Sequence, residues 1–410
     1  MTDLFSAQPP SRDAARLLMA DFTPRMGRRY ASGRNYDRGA GNHSAVSCLS
    51  PYVRRRLLTE AELVATAQDA HGLDGAEKFI QEVFWRSYFK GWLERRPGIW
   101  ASYRTGLEQD LMALEADRRL RKRVDQAEAG ATGIACFDAW SEELVETGYL
   151  HNHARMWFAS IWIFTLGLPW RVGADFFYRH LLDGDPASNT LSWRWVAGLH
   201  TRGKVYQAKA WNISKFTNQR FTPAERDLAD PVEGLDHTEP EGLPPVTPVR
   251  QVRPPRLGVP TALLITEEDC LPETLIDPAL DVIATATISA SHLRSDRPVA
   301  EIVADFECAA LADAATRIGH QATVLRAQDP GALIRWAEQS GAQQIATAYV
   351  PEGPLRDWLT EKAIPKLQNK GIAFCEIRRS WDDAVWKYAT AGFFKVKQQI
   401  PKILQVLEDA

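Results

Sequence analysis

Residues 76–92 read AEKFIQEVFWRSYFKGW, and this stretch decides how the first half of the chain folds. Its apolar residues recur at three- and four-residue spacing, which predicts an amphipathic α-helix. On such a helix Trp85 and Trp92 share one stripe, and Glu82 and Arg86 stand one turn apart, where they can pair. Two interpretations stay open: a core helix with a surface ion pair, or one wall of a binding site.

Helical spacing continues beyond this segment. The stretches HNHARMWFASIWIFTLGL (151–168) and GADFFYRHLL (173–182) have the same periodicity. Alternating strand-like stretches do not occur before residue 222. Residues 1–221 are therefore predicted to form an all-helical domain.

The second half has a different pattern. Residues 222–260 are dense in proline and lack periodicity, which predicts an extended linker. After it, short β-branched runs such as TALLIT (261–266) and QQIATAYV (343–350) alternate with helical stretches. This alternation predicts a doubly wound parallel sheet over residues 261–410. A dinucleotide fingerprint and a P-loop motif are both missing from it.

Composition excludes several classes of protein. The chain has 410 residues, of which 45% are hydrophobic and 25% charged, as in ordinary globular proteins. Without an apolar run of about 18 residues, a membrane span is not predicted. The N-terminus lacks the layout of a secretory signal, so a cytoplasmic location is expected. The five cysteines have no metal-ligand spacing, so neither a disulfide framework nor a metal site is predicted.

Charge and tryptophan are unevenly distributed. Residues 1–221 hold 30 basic and 24 acidic residues, whereas the remainder holds 19 and 28. Ten of the 14 tryptophans also lie in the first half. A basic, Trp-rich half suits a polyanion or an aromatic ligand, although Trp-rich helical cores are also common.

The segment TGYLHNHARMWFAS (147–160) carries an unusual helix face. Asn152, Arg155, Met156 and Ala159 share that face. An amide, a guanidinium and a thioether together suit the wall around a planar polar ligand. A helix edge at the solvent boundary is the alternative.

The segment LLDGDPASNTLSWRW (181–195) contains two aspartates and two indoles. Asp183 and Asp185 flank a glycine, which suits either a metal loop or a turn that caps the next helix. No later ligand spacing supports the metal. Trp193 and Trp195 are two residues apart on a helix, so they point to opposite sides.

The run from residue 82 to 212 resembles the flavin-binding helical domain of the DNA photolyase and cryptochrome family. The matching pieces are EVFWRSYF, TGYLHNHARM, LLDGDPASNTLSWRW and NISKF, in the family's order and spacing. With LSPY at 49–52, the resemblance covers most of residues 30–221. The second half is similar to the family's α/β domain, which usually comes first. The resemblance thus implies a permuted domain order, with residues 222–260 as the connection.

The resemblance implies a bent FAD in the helical domain. Asp183 would lie near the flavin and pair with Arg155, while Asn189 would face flavin N5, because an amide can donate or accept there. Glycines in residues 36–42 would let the backbone approach the pyrophosphate, with a plain surface turn as the alternative. The expected cofactor-binding residues are Tyr30, Asp37, Arg38, Gly39, Ala40, Gly41, Arg86, Asn152, Arg155, Asp183, Gly184, Asp185 and Asn189.

The resemblance also implies a lesion site. Trp85 and Trp195 would sandwich a flipped pyrimidine dimer, since aromatic faces replace lost base stacking. Glu82 would hydrogen-bond the lesion, and Asn152 and Met156 would face it. Those two residues favour the cyclobutane dimer, because enzymes for the other major ultraviolet lesion have histidines there.

An electron-transfer chain is implied too, with Trp170 and Trp193 as its inner members. The outer position falls near Asp117, which is not aromatic. The expected catalytic set is Glu82, Asn189, Trp170 and Trp193.

Basic residues near the end of the helical half suit a DNA backbone. Those expected to contact DNA are Lys204, Lys215 and Arg220, although a charge run is usually a solvated helix face. The implied activity is light-driven, FAD-dependent repair of cyclobutane pyrimidine dimers in ultraviolet-damaged DNA by a monomer. The alternative is a cryptochrome-like blue-light photoreceptor. The α/β domain would be the place for a second, antenna chromophore, which no motif identifies.

Overall fold

The computed structural model describes residues 9–319 and 321–409. The first half forms α-helices: α1 Arg12–Phe22, α2 Arg28–Gly33, α3 Ser50–Arg54, α4 Glu60–Gly75, α5 Glu77–Glu94, α6 Pro97–Ala116, α7 Arg118–Glu128, α8 Ala135–Thr147, α9 Asn152–Ser160, α10 Trp170–His180, α11 Pro186–Val196 and α12 Ala210–Phe216. The predicted all-helical fold of this half is confirmed.

The second half forms a parallel sheet flanked by helices. Its strands are β1 Thr261–Thr266, β2 Val282–Ser289, β3 Thr323–Arg326, β4 Gln344–Ala348 and β5 Ala373–Ile377. Its helices are α13 Glu301–Ile318, α14 Pro330–Gln339, α15 Pro354–Trp358, α16 Ile364–Asn369, α17 Ser380–Trp386, α18 Phe394–Lys397 and α19 Ile400–Glu408. The order β3-β2-β1-β4-β5 with parallel pairing confirms the predicted doubly wound sheet.

The two halves share a hydrophobic core. Leu263 and Ile265 of β1 belong to the apolar cluster that runs through the helical half. Ala262 and Leu264 lie in a second cluster on the other side of the sheet. Successive strand residues face opposite sides, so one face of the sheet packs against the helical half.

Helix ends near the predicted site are fixed by side-chain caps. Asp185 caps α11 by accepting a hydrogen bond from the Ser188 backbone N–H at 2.8 Å. His151 caps α9 by accepting from the His153 N–H at 3.2 Å. These caps hold the loops that precede α9 and α11, which are the segments the sequence analysis singled out.

Residues 222–260 contain neither an α-helix nor a strand, and two short 3₁₀ turns lie at Glu225–Asp227 and Leu235–Thr238. Glu239 of this segment receives two hydrogen bonds at 2.6 Å from the buried Arg194 guanidinium. The segment therefore runs along the end of α11. None of the helices in the described ranges has the length and apolar character needed to cross a bilayer.

Candidate functional site

An ion pair beside α9 and α11 lies at the centre of the predicted site. Arg155 Nη2 donates to Asp183 Oδ2 at 2.9 Å, and Arg155 Nε donates to the Leu150 carbonyl at 2.8 Å. Burial alone would raise the pKa of Asp183, but the charge of Arg155 and its hydrogen bond hold that pKa below its usual value. Asp183 is thus a fixed negative charge on the wall of the site.

Asp185 has a different environment, because three cations surround it. Lys90 Nζ lies 3.2 Å from Asp185 Oδ2, Arg86 Nη1 lies 3.6 Å away and Arg54 Nε 3.7 Å away. Burial opposes ionisation, yet these cations, Lys90 first, hold the pKa of Asp185 far below its usual value. Its carboxylate joins α3, α5 and α11, and this binding to protein groups also occupies Arg86.

Asn189 lies one turn into α11 and is buried. Its Nδ2 donates to the Ala174 carbonyl of α10 at 2.8 Å. This bond fixes the orientation of the amide and leaves the Asn189 oxygen as the acceptor available to a ligand.

The rim of the site is more accessible than this floor. Asn152 is exposed, and Met156 is half-buried one turn further along α9. Glu82 pairs with Arg34. Burial raises the pKa of Glu82 despite the opposing charge of Arg34. Tyr30 is buried, with its ring 5.2 Å from that of Phe79, so it belongs to the core next to this pair.

Each of the two predicted lesion-stacking indoles rests on an aromatic ring of the protein. The Trp85 ring stacks on Phe393 with centroids 3.9 Å apart and planes 15° apart. The Trp195 ring stacks on Tyr206 at 5.5 Å and 30°. Both indoles are half-buried, so any base must approach the face opposite these rings. Phe393 lies just before α18 and could not have been linked to Trp85 from sequence spacing.

The predicted phosphate-contacting segment splits into a buried and an accessible part. Asp37 is fully buried and accepts hydrogen bonds from Trp140 Nε1 at 2.9 Å, from the Gly39 N–H at 3.0 Å and from Arg220. Asp37 thus ties the segment to α8. Arg220, expected at DNA, pairs here instead. Arg38 is exposed.

A cavity of about 670 Å³ opens beside this segment. Of the predicted cofactor-binding residues, it is lined by Arg38 and Gly41, together with residues that the sequence analysis missed: Leu18, Asp21, Phe22, Arg25, Asn42, His43, Ser44, Val46, Ser47, Cys48, Thr217, Asn218 and Arg220. Two of them, Ser44 and Ser47, stand shortly before the LSPY motif, and that position was the available sequence signal.

The predicted electron-transfer tryptophans are buried in aromatic surroundings. Trp193 has its ring 5.1 Å from Phe177, edge to face. Trp170 lies 5.9 Å from Tyr103, which stacks at 5.4 Å on Trp100. Asp117, at the predicted outer position, caps α7 by accepting from its first backbone N–H groups. Aromatic contact from Trp170 therefore leads to α6 and away from Asp117.

The remaining predicted DNA contacts lie near the end of the helical half. Lys204 is exposed, and Lys215 Nζ lies 5.1 Å from the Phe216 ring centroid. Trp211, between them, is 58% exposed, which is unusual for an indole. This surface combines cations with an accessible aromatic ring.

The carboxyl edge of the sheet is where doubly wound proteins bind ligands. Here Glu268, which follows β1, pairs with Arg54 at 2.8 Å and with Lys90 at 3.2 Å. The crevice between Lys90, Glu268 and Glu352 leaves no room for a water molecule. Side chains of the helical half thus fill the place where an antenna chromophore would be sought. Within the described ranges, no group of three or more His, Cys, Asp or Glu side chains is arranged to hold a metal ion.

The fold and the site together define a helical ligand-binding domain joined to a doubly wound α/β domain. Residues 79–224 match the family model for the FAD binding domain of DNA photolyase. The chain belongs to the DNA photolyase and cryptochrome family.

Similar proteins agree on the family. A deoxyribodipyrimidine photo-lyase of Streptomyces griseus is 38% identical over 158 residues, which are 38% of this chain and 33% of the relative. One from Thermus thermophilus is 34% identical over 205 residues, 48% of this chain and 45% of the relative. A cryptochrome DASH of Danio rerio is 32% identical over 38% of this chain and 28% of its own length. The chain spans less than half the length of these relatives.

A solved structure of a bacterial class III photolyase from Agrobacterium tumefaciens is 25% identical to this chain. It aligns with 51% of this chain and 43% of its own with a TM-score of 0.43.

Proposed function

We propose that this protein binds FAD and uses light to repair cyclobutane pyrimidine dimers in DNA. The observation that carries the proposal is the buried pair of Arg155 and Asp183 in the domain that matches photolyases. The named photolyase relatives support the same activity.

The residues present fit FAD. Asp183 Oδ1 is buried and has no hydrogen-bond partner within the described part of the chain. An unsatisfied buried acceptor costs roughly 1–3 kcal/mol, so a donor group on a bound ligand would stabilise it. The oxygen of Asn189 is a second acceptor on the same wall. Asp183, Arg155 and Asn189 would therefore hold the cofactor.

FAD, when bound, supplies light absorption and one-electron chemistry. The chain supplies orientation and charge placement. Asn189, fixed by Ala174, holds an acceptor oxygen in place for an N–H group. Arg155 keeps Asp183 ionised, so the negative charge beside the ligand is constant. Glu82, whose pKa is raised, is suited to share a proton with a lesion oxygen.

DNA binding is proposed for the surface that carries Lys204, Lys215 and Trp211. Cations neutralise the phosphate backbone, and an exposed indole can stack on a base. The half-buried rings of Trp85 and Trp195 would receive the flipped dimer on the face opposite Phe393 and Tyr206. Desolvated aromatic faces compensate the unstacking of the extruded bases.

The direct test illuminates the reduced protein with an oligonucleotide that contains a cyclobutane dimer and follows the return of thymine absorbance. Absorbance should return under blue light and not in the dark. A matched variant, Asp183→Asn, should lose at least about a hundredfold in FAD affinity, because the charge pair with Arg155 is broken. A flavin-loaded protein that leaves the dimer intact would refute repair.

A blue-light photoreceptor without repair activity is the second candidate. The pairing of Glu82 with Arg34 favours it, because this carboxylate already has a partner, as does the likeness to a cryptochrome. In this case light would change the flavin spectrum of the purified protein, while the dimer-containing oligonucleotide would stay unrepaired.

A further inference from the structure

The cavity beside residues 38–48 has the composition of a phosphate site. Its volume of about 670 Å³ falls in the range of small-molecule sites, roughly 300–1,000 Å³. Three guanidiniums line it, those of Arg25, Arg38 and Arg220, and the hydroxyl residues Ser44 and Ser47 stand among them. Guanidinium groups bind phosphate oxygens through two parallel hydrogen bonds.

The arginines differ in how far they are neutralised. Arg25 pairs with Asp21, and Arg220 pairs with Asp37. Arg38 forms no ion pair with any carboxylate of the described residues, and its Nη1 donates to Ser44 Oγ at 3.2 Å. The cavity therefore has an unbalanced positive charge at its mouth.

Gly39 shows that the position of Arg220 is built in. Gly39 has a φ of 83°, and a Cβ placed on it would lie 2.0 Å from Arg220 Nη1. A side chain at this position would displace the guanidinium. Only glycine combines this backbone conformation with room for the arginine.

One wall of the cavity is apolar. Leu18 and Phe22 of α1 and Val46 form it, and the guanidinium carbon of Arg25 lies 4.7 Å from the Phe22 ring centroid. Cationic groups beside an apolar wall match a nucleoside phosphate, whose base and sugar need the wall and whose phosphates need the arginines.

The cavity is connected to the flavin wall through Cys48. Cys48 lines the cavity, and its thiol is close enough to Asp183 and Arg155 for their charges to act on its pKa. Burial is the largest effect and raises that pKa to about 12, so the thiol is an inert spacer. A ligand that extends from Asp183 past this segment would reach the arginines.

We propose that this cavity binds the diphosphate of an adenine nucleotide through Arg38, Arg220 and Arg25. The inference rests on the flavin-binding function proposed above, since the ADP half of FAD is one source of that group. A free nucleotide bound beside FAD is the other source.

The test measures dissociation constants of FAD, ADP and riboflavin for the full chain freed of nucleotide, by fluorescence and calorimetry in the dark. Arg38→Gln should weaken ADP and FAD roughly tenfold or more and leave riboflavin unchanged. Arg29→Gln removes the same charge at an exposed position outside the cavity and should change none of the three. Ser44→Tyr, which fills the cavity at an exposed position, should act like Arg38→Gln.

Competition identifies the source. If ADP displaces FAD, the cavity holds the ADP half of FAD; if ADP binds equally well to the FAD-loaded protein, it holds a separate nucleotide. Equal ADP and FAD affinities in Arg38→Gln and Arg29→Gln would overturn the proposal. Light and DNA are absent, so this result is independent of whether the loaded protein repairs dimers.

Discussion

Two arginine-rich regions of this molecule look alike in sequence and differ in structure. Arg54, Arg55 and Arg56 are buried between the two halves, where carboxylates of the α/β half neutralise them. Arg38 and Arg220 line an accessible cavity, where Arg38 has no carboxylate partner among the described residues. The first group forms an interdomain contact, and the second has charge left for a ligand. A basic run thus becomes a site only where the fold withholds its counter-ions.

The largest expected effect comes from breaking the buried contact. Arg54→Ala leaves Glu268 with Lys90 as its remaining partner and removes a cation beside Asp185. Removing one partner from a buried ion pair costs about 3–5 kcal/mol. Urea unfolding should show that loss. Arg38→Gln, at an exposed position, should stay within about 0.5 kcal/mol of the parent.

If Arg54→Ala unfolds at the parental urea concentration, the buried contact does not hold the halves together. The comparison between the two arginine groups would then be wrong.

A smaller effect is expected from a carboxyl group in the same interdomain contact. Glu94 is buried, accepts a hydrogen bond from the Glu352 N–H at 2.6 Å and contacts Tyr349. Burial, and then the charge of Glu352, raises the pKa of Glu94 from 4.5 to about 7. Because the folded pKa lies above the unfolded value, its contribution is complete below about pH 4.5 and is lost as pH rises through 7.

Glu94→Gln keeps an uncharged side chain of the same shape. Relative to the parent, this variant should therefore gain roughly 1–3 kcal/mol of unfolding free energy as pH rises from 5 to 8. Unfolding curves at several pH values measure the difference. A constant difference between the two proteins would show that Glu94 does not titrate in this interval.

The smallest effect concerns an exposed cation outside both arginine groups. Lys215→Gln should weaken DNA binding about equally for all sequences and lower the slope of log affinity against log salt by about 1. Binding isotherms at several salt concentrations give that slope. An unchanged slope would remove Lys215 from the DNA surface, and Arg29→Gln is a control for general charge.

Much of the fold followed from local pattern. The helical periodicity of residues 76–92 and the β-branched runs after residue 260 report burial on one face of a helix or within a sheet, and burial has a fixed period in each case. Partners distant in sequence carry no such signal. The stacking of Phe393 on Trp85 and the pairing of Asp37 with Arg220 depend on how elements pack, so spacing could not reveal them.

The sequence by itself determined the two kinds of domain, the order in which they occur and the family to which the chain belongs, because periodicity and motif spacing are local properties. Only the tertiary structure decided which charges are neutralised. It buried Arg54 against Glu268 and left Arg38 at a cavity mouth. The physical reason is that the pairing of a charge depends on which side chains surround it in space, and those side chains come from both ends of the chain.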